Sequence, residues 1–417
     1  MFWFIVLVRV SMPLKVIDYV EIEGRSVGYW ALLFILSMFV LAGLGASYYM
    51  EHNGHWVTGM SNQIVWGTPH VFAVFLIIAA SGALNVASIA SVFGREAYKP
   101  LSRLSGLLAV ALLVGGLVVL VLDLGRPDRL VVAMTTYNFK SIFAWNIFLY
   151  VGFIVIVALY LWMMMERRMN RYSRLVGIWA FVWRLFLTTG TGSIFGFLVA
   201  RQSFDAAIMG PMFVVMSFSY GLAFFILLLM WIYRMSGRLL GDMILLRLKN
   251  LLGVFVAGTL YFILIYHFSN LYATEHHGVE GFILISGEVY TKIFWAGIVT
   301  LGSVLPLLIF YLPFISKSRT WIAVGSALVI LGGFAQMVVV IIGGQAYPLV
   351  IFPGKEVIES SFFDGSVASY VPSFPELILG TSGIAIGLLL VAVSLKVFRF
   401  LPESLADDDV FFIKNPD

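Results

Sequence analysis

The chain has 417 residues, of which 61% are hydrophobic and 12% charged, with a formal net charge of +4 and no cysteine. A soluble domain carries roughly 25% charged residues, so water cannot be the solvent for this much apolar surface, and lipid can. The small positive charge is no sign of nucleic-acid binding. Without cysteine the chain holds no disulfide and no cysteine-ligated iron–sulfur cluster of its own.

The apolar run Met1–Val8 has no basic residue before it and is too short to span a bilayer; Met12 opens a more ordinary polar start. Ten later segments reach the roughly 20 apolar residues a spanning helix needs: 27–50, 67–93, 104–123, 141–165, 175–200, 206–233, 250–271, 287–314, 320–343 and 374–398. They are too long and too uniformly apolar for barrel strands, so the expected fold is all-α, an integral membrane protein of about ten transmembrane helices. The division is an N-terminal segment 1–26, a polytopic domain 27–398 with a long loop 344–373 rich in proline (Pro348, Pro353, Pro372), and a tail 399–417. Both termini and alternate loops carry 19 Lys and Arg, while the other set of loops carries 6 and Arg184 lies within a span. The positive-inside rule makes the first set cytoplasmic, in a bacterial or archaeal inner membrane, with both termini inside.

That orientation gives depth. His70, Asp123, Arg126, Lys140, Arg201, His267, Glu288 and Lys292 come from distant positions but share one depth, near the outer face. Ionisable groups inside a membrane are functional candidates by default, whereas single ones near a helix end snorkel to the interface. Asp123-Leu124-Gly125-Arg126-Pro127 closes the third helix: Gly125 suits a cap, Pro127 stops the helix, and Asp123 and Arg126 are spaced to pair. Glu288 and Lys292 are spaced i, i+4 for a local salt bridge. Arg184 lies deep in the fifth helix with no partner evident, and Gly190-Thr191-Gly192 is a candidate break in that helix. Glu275-His276-His277 reads as a solvated loop, Met163-Met164-Met165 as lipid-facing or packing material, and Arg167–Arg174 as a topology signal; no metal-ligand set is put forward.

The "DLGRP" helix end, the run Trp66-Gly67-Thr68-Pro69-His70 and the basic turn between them resemble the NrfD/polysulfide-reductase family of membrane subunits. The resemblance covers roughly 60–400. It implies two four-helix bundles plus two extra helices, a quinone (menaquinone or ubiquinone) bound near the outer face of the first bundle, and no haem in this chain. It also implies a periplasmic iron–sulfur subunit as partner. The text around 65–145 is most similar to a sulfur-metabolism member, the membrane subunit of the DsrMKJOP type of complex, with further membrane and cytochrome subunits. Carried onto this sequence, the site is Trp66, His70, Asp123 and Arg126, with Tyr137, Lys140 and Arg201 as further cofactor contacts. His70, Asp123 and Arg126 are the candidates for proton chemistry, because a histidine titrates near neutral pH and a carboxylate can relay its proton. Some family members place a histidine deeper in the second helix, where this chain reads Ala79-Ala80-Ser81-Gly82. Two rival functions share the ten helices: a secondary transporter, whose broken helices would bind substrate at the midplane, and a purely structural anchor. A haem held between His70 and His267 is a further alternative.

Overall fold

The computed structural model describes residues 18–349 and 365–410. Its helices long and apolar enough to cross a membrane are α1 (Val27–Asn53), α2 (Thr68–Ser91), α3 (Glu96–Leu122), α4 (Ile142–Met165), α5 (Asn170–Gly196), α6 (Met209–Ser236), α7 (Asp242–Tyr272), α8 (Val289–Tyr311), α9 (Arg319–Ala346) and α10 (Phe374–Val397). A two-residue antiparallel pair, β1 (Tyr19–Val20) with β2 (Leu401–Pro402), joins the two ends of the chain. Both ends therefore lie on one face, here called the terminal face; the opposite face is the distal one.

The helices form two groups of four. In the first, α2, α3, α4 and α5 pack in a ring; in the second, α6, α7, α8 and α9 do the same. α1 packs on α10, and α10 on α2 and α3, so these two lie outside both bundles, as expected. α2 is the hub, touching α3, α5, α6, α9 and α10. From Thr68 to Ala83 every residue of α2 is buried except His70.

Small residues make this possible. Lipid tails are as apolar as leucine, so helices associate in a membrane through close packing rather than through exclusion from water. A Cβ at Gly82 would strike the Ser217 carbonyl of α6, and one at Gly221 would strike the backbone of Gly82 and Ala83. Gly115 of α3 meets the Gly383 carbonyl of α10 in the same way, and Gly302 of α8 meets Gly332 of α9.

The elements differ from the expected ones in three instructive places. α2 is interrupted at Leu84, where Ser105 of α3 inserts its hydroxyl, donating to the Ala83 carbonyl (2.7 Å) and accepting from the Ala87 N–H (3.1 Å). A side chain entering the helical ladder is a recognised cause of such breaks. α7 begins at Asp242 rather than near 250, because Ile244, Leu245 and Leu248 bury their faces while Lys249 donates to the Phe310 carbonyl at 2.7 Å. α5 runs unbroken through Gly190-Thr191-Gly192; these small residues let α5 approach Asn146 of α4 and Met209 of α6. The distortions lie instead in α8 and α9, as π-helical stretches over Ile293–Val304 and Val338–Gly343.

Replacing Gly82 or Gly221 with Leu forces α2 away from α6. Overpacking of this kind costs about 1–3 kcal/mol, so thermal unfolding of either variant in detergent is expected at a clearly lower midpoint. An unchanged midpoint would refute the backbone-to-backbone crossing.

Candidate functional site at the distal end of α2 and α3

The one accessible residue of Thr68–Ala83 is paired. His70 lies in the first turn of α2, after Pro69, and its Nδ1 is 3.1 Å from Oδ2 of Asp123. Asp123 is the residue on which α3 ends. The Asp123 side chain is 2% exposed and that of His70 20%. With Asp123 ionised, Nδ1 carries the proton and donates, which leaves Nε2 as the ring's acceptor. The second carboxylate oxygen, Oδ1, is buried and has no partner among the described residues. Buried polar atoms are nearly always hydrogen-bonded, so this oxygen is an unusual one.

One side of the pair is walled by rings. Trp66 stacks on the His70 imidazole, with centroids 5.7 Å apart and planes 13° apart. Behind Trp66 stand Phe143 of α4, Phe195 of α5 and Phe204 of the α5–α6 loop. Trp66 is itself held by its backbone. Gln345, buried at the end of α9, accepts from the N–H groups of Val65 and Trp66 (3.0 Å each) and donates to the Trp66 carbonyl (3.0 Å).

The start of α2 is fixed from α10. Glu376, fully buried, accepts from the N–H groups of Gly59 and Ser373 (2.8 Å each) and from the Tyr370 hydroxyl (2.6 Å). Tyr370 in turn accepts from the Thr68 N–H at 2.7 Å, two residues before His70. Burial, reinforced by the bond to Glu376, pushes the Tyr370 phenol above its ordinary value, so it stays a donor throughout the physiological range. Gly67 is required here, since a Cβ would press on the Glu376 carboxylate, Met60 and the Tyr370 hydroxyl.

The structure brings together Trp66, His70 and Asp123, and separates the other expected residues from them. Arg126 does not pair with Asp123. The chain leaves the helix at Asp123 and Arg126 reaches Asp128 with two bonds, 3.0 and 2.9 Å, both side chains being exposed. Gly125 adopts no left-handed cap, since α3 ends on Asp123 in right-handed geometry. Tyr137 stacks on Phe148 at 4.4 Å rather than on Trp66, and Lys140 is exposed in the loop before α4. Arg201 acts as a clamp: it donates to the carbonyls of Gln345 (3.0 Å) and Gln63 (2.8 Å), tying the α5–α6 loop to the support of Trp66.

His267 belongs to a separate pair in the second bundle. Its Nδ1 lies 2.7 Å from Oε2 of Glu280, whose Oε1 accepts from Asn270 at 2.8 Å. No ion pair joins Glu288 and Lys292 among the described residues; Glu288 adopts φ +43° and is exposed. His276 is buried rather than solvated and donates to the Gln202 carbonyl at 2.7 Å, whereas His277 is exposed. Arg184, fully buried, has a long bond to the Ser81 carbonyl (3.4 Å) and sits over the rings of Phe181 and Phe218; its Nε has no partner among the described residues. Met164 and Met165 pack against the core, as read.

Reading the sequence missed Glu376, Gln345 and Glu280. Ser373-Phe374-Pro375-Glu376 carries the S-x-x-E spacing of a capping box, which was the available signal for the first. It also missed His55, whose Nε2 is buried without a partner beside Gly125.

A membrane protein of two four-helix bundles, with a histidine–carboxylate pair at the distal end of the first, is the architecture these features define. The model of the family "Polysulphide reductase, NrfD" matches residues 56–348, and the chain belongs to that family. It is 28% identical to the Hdr-like menaquinol oxidoreductase integral membrane subunit of Archaeoglobus fulgidus, over 94% of this chain and 99% of that one. It is 26% identical to a putative dimethyl sulfoxide reductase membrane subunit of Halobacterium salinarum, over 91% and 92% of the two chains. The menaquinone reductase integral membrane subunit of Nitratidesulfovibrio vulgaris is 24% identical, over 86% and 88%.

Glu376→Leu leaves two half-buried N–H groups and a phenol without their acceptor, at a cost of up to about 1–3 kcal/mol for each unsatisfied group. The variant is expected to unfold at a markedly lower temperature than the parent chain, whereas Arg126→Gln is expected to unfold with it. A thermal scan of both checks the assignment, and the reverse order would contradict it.

Proposed function

We propose that this chain is the quinone-interacting membrane subunit of a respiratory redox complex, and that its quinone headgroup lies at His70, Asp123 and Trp66. The observation that carries the reading is the buried, unpartnered Oδ1 of Asp123 beside a partly exposed histidine and a wall of aromatic rings. Bound there, a quinone or quinol supplies the redox chemistry, which moves two electrons and two protons. The residues of the chain supply the rest. His70 accepts from a quinol hydroxyl at Nε2, and donates to a quinone carbonyl there once the imidazole has taken up a proton; Asp123 fixes the ring orientation through Nδ1 and balances that charge. Trp66 offers a flat apolar face for a ring to lie against.

The menaquinol and menaquinone named in two of the relatives favour menaquinone as the ligand. The basic-residue asymmetry supports a distal face that looks outward, with both termini cytoplasmic in the inner membrane. An iron–sulfur subunit docked on that face would exchange electrons with the quinone, since this chain has no cysteine to hold a cluster. Its contacts would fall on the 51–66 loop and on the segment before α10; of the 344–373 loop, 350–364 lie outside the described residues. The text of 65–145 further supports a sulfur-linked complex, with additional membrane and cytochrome subunits.

His70→Ala and Asp123→Asn are expected to lower quinol-linked turnover of the assembled complex at least about 100-fold, while the partner subunits still co-purify. Normal turnover in both variants would refute the site.

A further inference from the structure

On the terminal face, far from His70, the end of α6 joins two cavities. Its helix closes with Gly237 at φ +65°, the Gly237 N–H donating to the Arg234 carbonyl (3.4 Å) and the Arg238 N–H to that of Tyr233 (3.1 Å). These are the two bonds of a Schellman turn, and the left-handed residue they require is the glycine. The turn folds Arg238 back alongside Arg234. Arg238 then borders both cavities, one of about 330 Å³ that also meets Arg234 and Arg319, and one of about 500 Å³ between α1, α6 and α10.

The larger cavity is amphipathic. It is lined by Leu32, Leu228, Leu388 and Val391, with Trp231, and by Arg25, Ser26 and Ser236 with one carboxylate, Glu23. Trp231 is 43% exposed, a tryptophan at the end of a spanning helix, where such rings sit at headgroup level. Arg238 spends one nitrogen, Nη2, on the Glu21 carbonyl (2.8 Å); the other, Nη1, is buried and has no partner among the described residues. Arg319 is already engaged with Asp242 at 2.7 Å, and the Glu21 carboxylate lies within electrostatic reach of Arg238; among the described residues at this end of α6, Arg234, Arg238 and, on the groove's rim, Arg25 are the cations that can meet an anion.

We propose that this is a binding site for an acidic phospholipid: its phosphate on Arg238, where the two cavities meet, with Arg234 on the side of the smaller one, and its acyl chain in the groove between α1, α6 and α10. Basic residues over an apolar inter-helical cleft match both halves of such a molecule, whereas a free phosphate would use only the rim. The proposal is independent of the quinone reading, because the site is at the opposite end of the protein.

The test uses the full chain in nanodiscs of phosphatidylglycerol or phosphatidylcholine, with retained lipid counted by native mass spectrometry after transfer to detergent. Phosphatidylglycerol is expected to be retained about tenfold or more over phosphatidylcholine, and the preference to vanish in Arg234→Gln/Arg238→Gln. Arg234→Gln alone, which leaves the Arg238 bond to Glu21 intact, is expected to lose part of it without a change in thermal midpoint. Equal retention of the two lipids, or a preference that survives the double substitution, would overturn the proposal. So would complete displacement of the lipid by millimolar inorganic phosphate, which would show an anion site without a role for the chains.

Discussion

Everything at the distal site depends on the enclosure of α2. A helix packed against five others has no side left for solvent, so any polar residue on it has to be satisfied internally or be placed where something else satisfies it. The glycine contacts at Gly82 and Gly221 bring α6 to backbone distance, and Ser105 of α3 mends the interruption at Leu84. Ser81 is satisfied inside, bonded to Thr188 at 2.6 Å. His70 is the one residue of Thr68–Ala83 with access to the outside, and it is already poised by a carboxylate from the next helix.

The second bundle supplies an internal comparison. His267 and Glu280 also form an Nδ1-to-carboxylate pair near the distal end, but that pair is closed. Glu280 is fully buried and both of its oxygens are used, by His267 and Asn270. Such a pair holds the loop after α7 in place. Around His70 the same chemistry is left open, with one carboxylate oxygen unused and the imidazole partly exposed. The two pairs lie in different bundles, each spending its Nδ1 on its own carboxylate. The difference between the closed pair and the open one lies in the free valences rather than in residue type.

How far the sequence reached follows from the range of the interactions. The ten helices were legible because lipid imposes length and composition on each span independently. Residues 65–70 and 123 were legible because they belong to a recognisable stretch of text. Arg126 was misassigned by helical spacing: i, i+3 neighbours meet only if the helix continues, and α3 stops at Asp123. Its actual neighbour, Asp128, lies beyond Pro127. Gln345 sits 279 positions after the Trp66 N–H it holds and Glu376 317 positions after that of Gly59, and no periodicity links such distant partners. Nor could hydropathy reveal the break at Leu84, which is made by a serine on another helix.

The most direct test of the central claim is photolabelling of the assembled complex with an azido-menaquinone, followed by peptide mapping. Label competed by unmodified menaquinone is expected on the peptides that carry Trp66–His70 and Phe143. Competed label confined to the second bundle around His267, with none on α2 or α4, would contradict the account.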